Sequence, residues 1–220
     1  LKGIPSVAEE IMVDRDLNLC KYTDSKLHLS YISTKESINK IKKAKSLGLK
    51  VSSDVAIHNL FLTEDLIKNF DTRYKVSPPL RTKVDNSSLI NGLKNDVIDI
   101  ISSDHTPINE EYKKTEFDNA ESGIIGLESA FGLLGKHVLH KIGISKLIEK
   151  ISINPRKILN IEEVIIEEGK KANMTLFDPE IDWVFNEKDI KSKSKNTPFI
   201  GEKLKGKALA VINNGELEKC

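Results

Sequence analysis

Segments patterned as strands and segments patterned as helices take turns along roughly the first 160 residues, which limits the chain to parallel strands with helices packed outside them. Lys26 to Ser33 alternates, with Leu27, Leu29 and Tyr31 on one side and His28, Ser30 and Ile32 on the other. Thr34 then caps a helix in which Ile38, Ile41 and Ala44 recur at helical spacing until Gly48 stops it. Leu49 to Val55 is strand-like again, and Thr63 and Glu64 open a short helix to about Asn69. Ser77-Pro78-Pro79-Leu80-Arg81 must run extended, because its prolines fit neither a central strand nor a helix interior. Asp85 is expected to cap a helix ending near Lys94. Upstream of all this, Ser6-Val7-Ala8-Glu9 has the form of a capping box. Val7, Ile11 and Met12 begin an apolar stripe that runs to about Lys21, leaving Asp14, Arg15 and Asp16 in water.

The next strand, Val97 to Ser102, ends abruptly in Ser103-Asp104-His105-Thr106-Pro107. A buried parallel strand delivers chemistry to the carboxyl end of its sheet in this way. A carboxylate at Asp104 can bind a divalent metal or take a proton from a metal-bound water. Equally, Asp104 can cap the following segment with His105 packed against it, and the residues alone leave both readings open.

After the polar stretch Asn109 to Asn119, Ser122-Gly123-Ile124-Ile125-Gly126-Leu127-Glu128 places glycines at a turn that feeds an apolar helix to about Leu139. Two short helices follow, one near Ile144 to Ile151 and one with Asn154 as cap and Pro155 in its first turn. Beyond Asn160 the helical period is lost. Ala172 to Phe177, Trp183 to Phe185 and Ala208 to Ile212 are short strand-like runs, separated by turns such as Asp178-Pro179 and Asn213-Asn214-Gly215. Lys188 to Lys195 has the composition of a solvated loop rather than a binding patch. About three or four strand–helix units fit before Asn160, whereas a closed eight-unit barrel needs roughly 250 residues. The expected division is therefore 1–160, part of a barrel, and 161–220, a β-rich appendage. No serine sits in a nucleophile elbow and no glycine loop cradles phosphate.

Composition removes several classes of function. With 34 basic and 33 acidic side chains the formal charge is +1, which gives no argument for nucleic acid or an anionic membrane. Cys20 and Cys220 show neither metal spacing nor a disulfide framework, so a reducing cytoplasm is expected. No apolar run approaches the roughly 20 residues that span a bilayer. The chain starts at Leu1 rather than at a methionine, as a trimmed or partial chain would.

Taken together, Gly3-Ile4-Pro5 with Ala8-Glu9-Glu10, Ile32-Ser33-Thr34-Lys35-Glu36-Ser37, Lys75-Val76-Ser77-Pro78-Pro79-Leu80-Arg81, Ser103-Asp104-His105-Thr106-Pro107, Ser122-Gly123-Ile124-Ile125-Gly126-Leu127-Glu128 and Asn196-Thr197-Pro198-Phe199 closely resemble the long, class I dihydroorotases of the amidohydrolase superfamily. The matches occur in family order over nearly the whole chain. The resemblance implies an α/β fold, the C-terminal part of a distorted (β/α)8 barrel of TIM type with a small β-sandwich. It also implies reversible cyclisation of carbamoyl aspartate to dihydroorotate in pyrimidine synthesis, one or two zinc ions, an activated hydroxide, and a homodimer. Asp104 matches the strand-end aspartate that shuttles the proton and sits at the metal.

The departures from the family pattern are equally specific. Tyr31 stands where the family has a histidine zinc ligand, and a phenol with a pKa of about 10 is a poor substitute for imidazole. On a regular strand His28 points to the opposite face and is expected to be buried, or to stand behind the ligands, rather than to ligate. Ser77 replaces a substrate-binding asparagine, and Ile108 replaces a histidine that binds the substrate carboxylate. His58 matches the first histidine of a Pro-His-His segment, a pocket-rim position, and His105 and Arg81 are further pocket candidates. Gly123, beside Ser122, matches a turn whose backbone touches the substrate ring. The family's other ligands, the His-x-His pair above all, lie on strands of an N-terminal half-barrel that this chain lacks, so activity of the chain alone is not expected. Three roles stay open: part of a dihydroorotase, a non-catalytic relative that assembles with a partner such as aspartate transcarbamoylase, and an amidase for another cyclic substrate.

Overall fold

A computed structural model describes residues 3–220; Leu1, where the chain starts, lies outside the described residues. Helix α1 (Ser6–Thr23), strand β1 (Leu27–Leu29), helix α2 (Lys35–Ser46), strand β2 (Val51–Ala56), helix α3 (Lys83–Lys94) and strand β3 (Ile100–Ser102) follow in order. The three strands are parallel, in the order β1-β2-β3, with Leu27 opposite Val51 and Asp54 opposite Ile100. Parallel strands need a crossover between them, and each crossover here carries a helix onto one face of the sheet. That face is dry: Leu29, Val51, Val55 and Ile101 pack with Val13 and Leu17 of α1, Ile38 and Ile41 of α2, and Leu89 and Leu93 of α3. The opposite face carries His28, Ser52, Asp54 and Ser102, since neighbours along a strand alternate sides. One face therefore holds the core and the other holds the chemistry.

Local signals explain the helix ends, with three corrections to the expected caps. Thr34 caps α2 by accepting from the Ser37 N–H, as expected. Helix α3 is capped by Thr82, and Asp85 is its capping-box partner rather than the cap. Glu9 forms no capping box with Ser6, for α1 starts after Pro5 without a side-chain cap. The apolar stripe of α1 is also not the expected one: Val13, Leu17 and Cys20 are buried, while Val7, Ile11 and Met12 are exposed. Asn154 lies inside a helical run, and its amide donates to the Asp99 carbonyl at 2.9 Å instead of capping.

After β3, a short helix α4 (Glu110–Lys113) sits in the polar stretch, and α5 (Ala130–Leu134) continues through a π-helical turn, Gly135–Leu139. Strands β4 (Met174–Val184), β5 (Lys203–Asn213) and β6 (Glu216–Lys219) form an antiparallel sheet. Asp178-Pro179 is an irregularity within β4 rather than a turn, whereas Asn214 and Gly215 do turn, both with positive φ. Helix α5 rests on β5 at Gly135, where a Cβ would lie 1.8 Å from the Lys205 carbonyl. Only glycine permits that approach, and through it Phe185, Phe199 and Leu204 join the same core.

Candidate functional site

The polar face of the sheet converges on two carboxylates. Asp54, on β2, is buried; its Oδ2 lies 3.0 Å from His28 Nε2, and its Oδ1 accepts from the Tyr31 N–H at 2.9 Å and the Ser102 hydroxyl at 3.1 Å. Burial by itself would raise its pKa, but the bonds from His28 and the Tyr31 backbone outweigh it and hold the carboxyl below the usual range. Asp104 follows the end of β3 in a left-handed conformation, φ 46°, which turns it out of the strand direction. Its pKa is pushed up to about 6, chiefly by burial and further by the negative charge of Asp54, against hydrogen bonds from Thr106 and Tyr31. Its Oδ2 lies 3.7 Å from Nε2 of His58, which stands just beyond β2. Burial drives the His58 pKa down to about 4, so the ring is neutral, and its Nε2 has no hydrogen-bond partner. Tyr31 faces the same charges: burial, then Asp104 and Asp54, push its phenol upward.

Asp104, His58 and Tyr31 are thus brought together. His28 joins them through Asp54 and is exposed, contrary to the expectations that it points away and is buried. The strand ends at Leu29 and Tyr31 adopts φ 57°, so the alternation that separated the two residues stops before it reaches Tyr31. Asp54 is the carboxylate of this cluster that the sequence candidates do not include; an acid inside the strand-like run Leu49 to Val55 was the available signal.

Most of the remaining candidates are taken up in contacts of their own. Arg81 is buried away from Asp104: its Nε donates to the Ser33 hydroxyl at 3.1 Å, its Nη1 donates to the Ile4 carbonyl at 2.8 Å, and its Nη2 lies 3.8 Å from Glu9. Glu9 in turn accepts from the backbone N–H groups of Ser33 and Thr34 and from both hydroxyls. His105 Nδ1 accepts from the N–H groups of Gly126 and Leu127, which leaves the proton on Nε2, facing the Ser192 hydroxyl at 3.3 Å. Gly123 spends its N–H on the Lys75 carbonyl and its carbonyl on Asn196, so its backbone is already paired. Ser77 is exposed, and the Ile108 N–H is taken by Asn196.

The donor set does not make a metal site by itself. Among the described residues no group of three or more His, Cys, Asp or Glu side chains is placed to hold an ion. Asp104 and His58, whose Nε2 has no hydrogen-bond partner, supply two groups of the kinds that bind metal, and the Tyr31 phenol beside them is a poor third.

A sequence profile described as the amidohydrolase family matches residues 4–217. The chain belongs to the amidohydrolase family. It is 44% identical over 221 residues to a dihydroorotase of Caldicellulosiruptor saccharolyticus, covering 100% of this chain and 51% of that protein. A dihydroorotase of Chlorobaculum tepidum is 41% identical, with 99% of this chain and 53% of that protein covered. This amidohydrolase chain therefore spans about half the length of the curated relatives it matches. Among solved structures, the L-hydantoinase (dihydropyrimidinase) of Arthrobacter aurescens superposes with a TM-score of 0.90 at 24% identity, over 97% of this chain and 49% of that one. The dihydropyrimidinase of Brevibacillus agri gives 0.87 at 23% identity, over 97% and 49%. Likeness at that identity speaks for the fold alone: three parallel strands and their helices are part of the amidohydrolase barrel.

Proposed function

We propose that this chain is the C-terminal part of a dihydroorotase that interconverts carbamoyl aspartate and dihydroorotate in pyrimidine synthesis, with Asp104 as its proton-carrying carboxylate. Residues 1–160 are its share of the barrel, and 161–220 are the β-rich segment. The observation that carries this reading is the setting of Asp104: beyond the carboxyl end of a parallel strand, with its pKa pushed up to about 6 and a neutral His58 ring 3.7 Å away. Near neutral pH such a carboxyl takes a proton from an attacking water and returns it to the amide nitrogen that leaves. The likeness to dihydroorotases supports the choice of a cyclic amide as substrate. Family membership suggests a metal cofactor, and zinc is our reading of it. Because Asp104 is a single sound ligand here, the other ligands come from the complementary half of the barrel. A homodimer in the cytoplasm completes this reading.

Tyr31 in the place of a ligand, with Ser77 and Ile108 lacking the expected donors, favours a second reading: a degraded site kept for assembly with a partner such as aspartate transcarbamoylase, or reshaped for another cyclic amide. Two measurements separate the readings, zinc content after purification without chelator and turnover of dihydroorotate, each on the 220-residue chain alone and on the chain joined to the residues that complete the barrel. The chain alone is expected to be inactive. The completed protein is expected to hold zinc and to turn dihydroorotate over weakly, its site being degraded at Tyr31, Ser77 and Ile108, and Asp104→Asn to lower that turnover by on the order of 10²–10⁴. A completed protein that folds, holds no metal and does not turn over supports the assembly role. Turnover of about 1 per second or more by the chain alone contradicts the degraded site.

A further inference from the structure

We propose that Asn196, carried by the segment between β4 and β5, is the positioning residue of the Asp104 loop. Past Ser102 no strand ladder holds that loop among the described residues; an isolated bridge between His105 and Ile124 and the His105 ring, which accepts from Gly126 and Leu127, tie its middle. It must nevertheless keep Asp104 at φ 46°, left-handed backbone that Asp tolerates better than most L-residues but that one more restraint fixes in a single orientation.

A single carboxamide ties its far side to two other segments. Asn196 Nδ2 donates to the Thr106 carbonyl at 2.9 Å and to the Gly123 carbonyl at 3.0 Å, while its Oδ1 accepts from the Ile108 N–H at 3.1 Å. Its own backbone carbonyl accepts from the Ile125 N–H at 3.1 Å. The side chain is buried, and only one orientation of the amide satisfies two acceptors and one donor together. Thr106 passes the restraint on, because its hydroxyl donates to the Asp104 carbonyl at 3.2 Å and reaches the carboxylate at 3.5 Å. The contact is close-fitting on the other side too, where a Cβ on Gly123 would come within 2.6 Å of the Thr106 methyl. Neighbours reinforce it: the Ser194 hydroxyl lies against the Ile108 carbonyl, and Ser192 bridges His105 to Glu128. The lysine- and serine-rich stretch before Asn196, which its composition marks as a solvated loop, is therefore a strap across the site.

The functional weight of Asn196 rests on Asp104 being the working carboxylate, as proposed above; the strap itself rests on the hydrogen bonds. Amide exchange in the ¹⁵N-labelled 220-residue chain tests it. Asn196→Ala is expected to speed exchange at Ile108 and Thr106 about tenfold or more, with Leu89 and Leu93 of α3 unchanged. Asn196→Asp keeps an acceptor for Ile108 but turns a charged oxygen on two carbonyls. It should therefore spare Ile108 and speed Thr106, whose N–H bonds to the Ile124 carbonyl. Equal behaviour of the two variants, an unchanged Ile108 in Asn196→Ala, or acceleration shared by α3 would overturn the proposal, as would unfolding of both variants. Should the exchange pattern appear while Asp104→Asn leaves turnover of the completed enzyme unchanged, the strap stands and the role of Asp104 falls. The opposite pair of results removes the strap alone.

Discussion

His137 stacks on Phe61 with ring centroids 4.1 Å apart and planes 7° from parallel. Burial, aided by the charges of Lys136 and Lys141, lowers its pKa from 6.5 to about 4. The unfolded chain then binds a proton at this ring between those values and the folded chain does not, so stability falls as pH drops from about 6.5 toward 4. His58 acts in the same direction. Asp104, with its pKa raised, acts in the opposite one, its contribution being lost as pH rises from about 4 through 6. His137→Phe keeps the stack and removes the titration, so urea midpoints of the variant should differ less between pH 6.5 and pH 4.5 than those of the parent. An equal pH dependence in both would show that His137 titrates normally. At Arg81 the sequence showed a cation next to the site but not its direction. Three contacts turn it toward Ser33, Ile4 and Glu9, and those partners are remote in sequence. Arg81→Met leaves the half-buried Glu9 without its cation, and the buried Ser33 hydroxyl without its donor, and should cost about 3 kcal/mol in urea unfolding, where a surface arginine costs under ~0.5 kcal/mol.

Secondary-structure elements were legible where their signals are local. Thr34 and Gly48 bracket α2 as read, and Ile38, Ile41 and Ala44 are its buried face, because periodicity and caps depend only on near neighbours. For α1 the same reading chose the wrong face: apolar residues lie all round the helix, and only what packs against it decides which are buried. The cap of α3 was read one turn late, since Thr82 and Asp85 are both cap formers and the one that sits in extended backbone wins. Thr82→Ala should therefore destabilise the chain by about 1 kcal/mol. The equilibrium midpoint in urea measures this, and an unchanged midpoint would mean that Asp85 suffices alone.

Taken whole, the molecule has a sheet whose outer strands have one sheet neighbour each among the described residues, and a helix α1 that shows Val7, Ile11, Met12 and Leu19 to solvent. Unpaired edges and exposed apolar side chains favour association. The 220-residue chain alone is expected to self-associate with rising concentration in light scattering, and Ile11→Lys with Met12→Lys to reduce this without lowering its unfolding midpoint. Behaviour as a monomer at all concentrations would contradict it. The sequence by itself determined the order of strands and helices, the parallel sheet and the place of Asp104 at a strand end, because side-chain period and turn residues act over a few positions. Only the tertiary structure decided that His28 shares the site with Tyr31, that Arg81 and Glu9 brace it from behind, and that Asn196 straps the loop. His28 and Tyr31 meet through Asp54, 26 and 23 positions away, and the other pairings cross 24 to 90 positions; a hydrogen bond between such distant residues forms only after the core has set their distance.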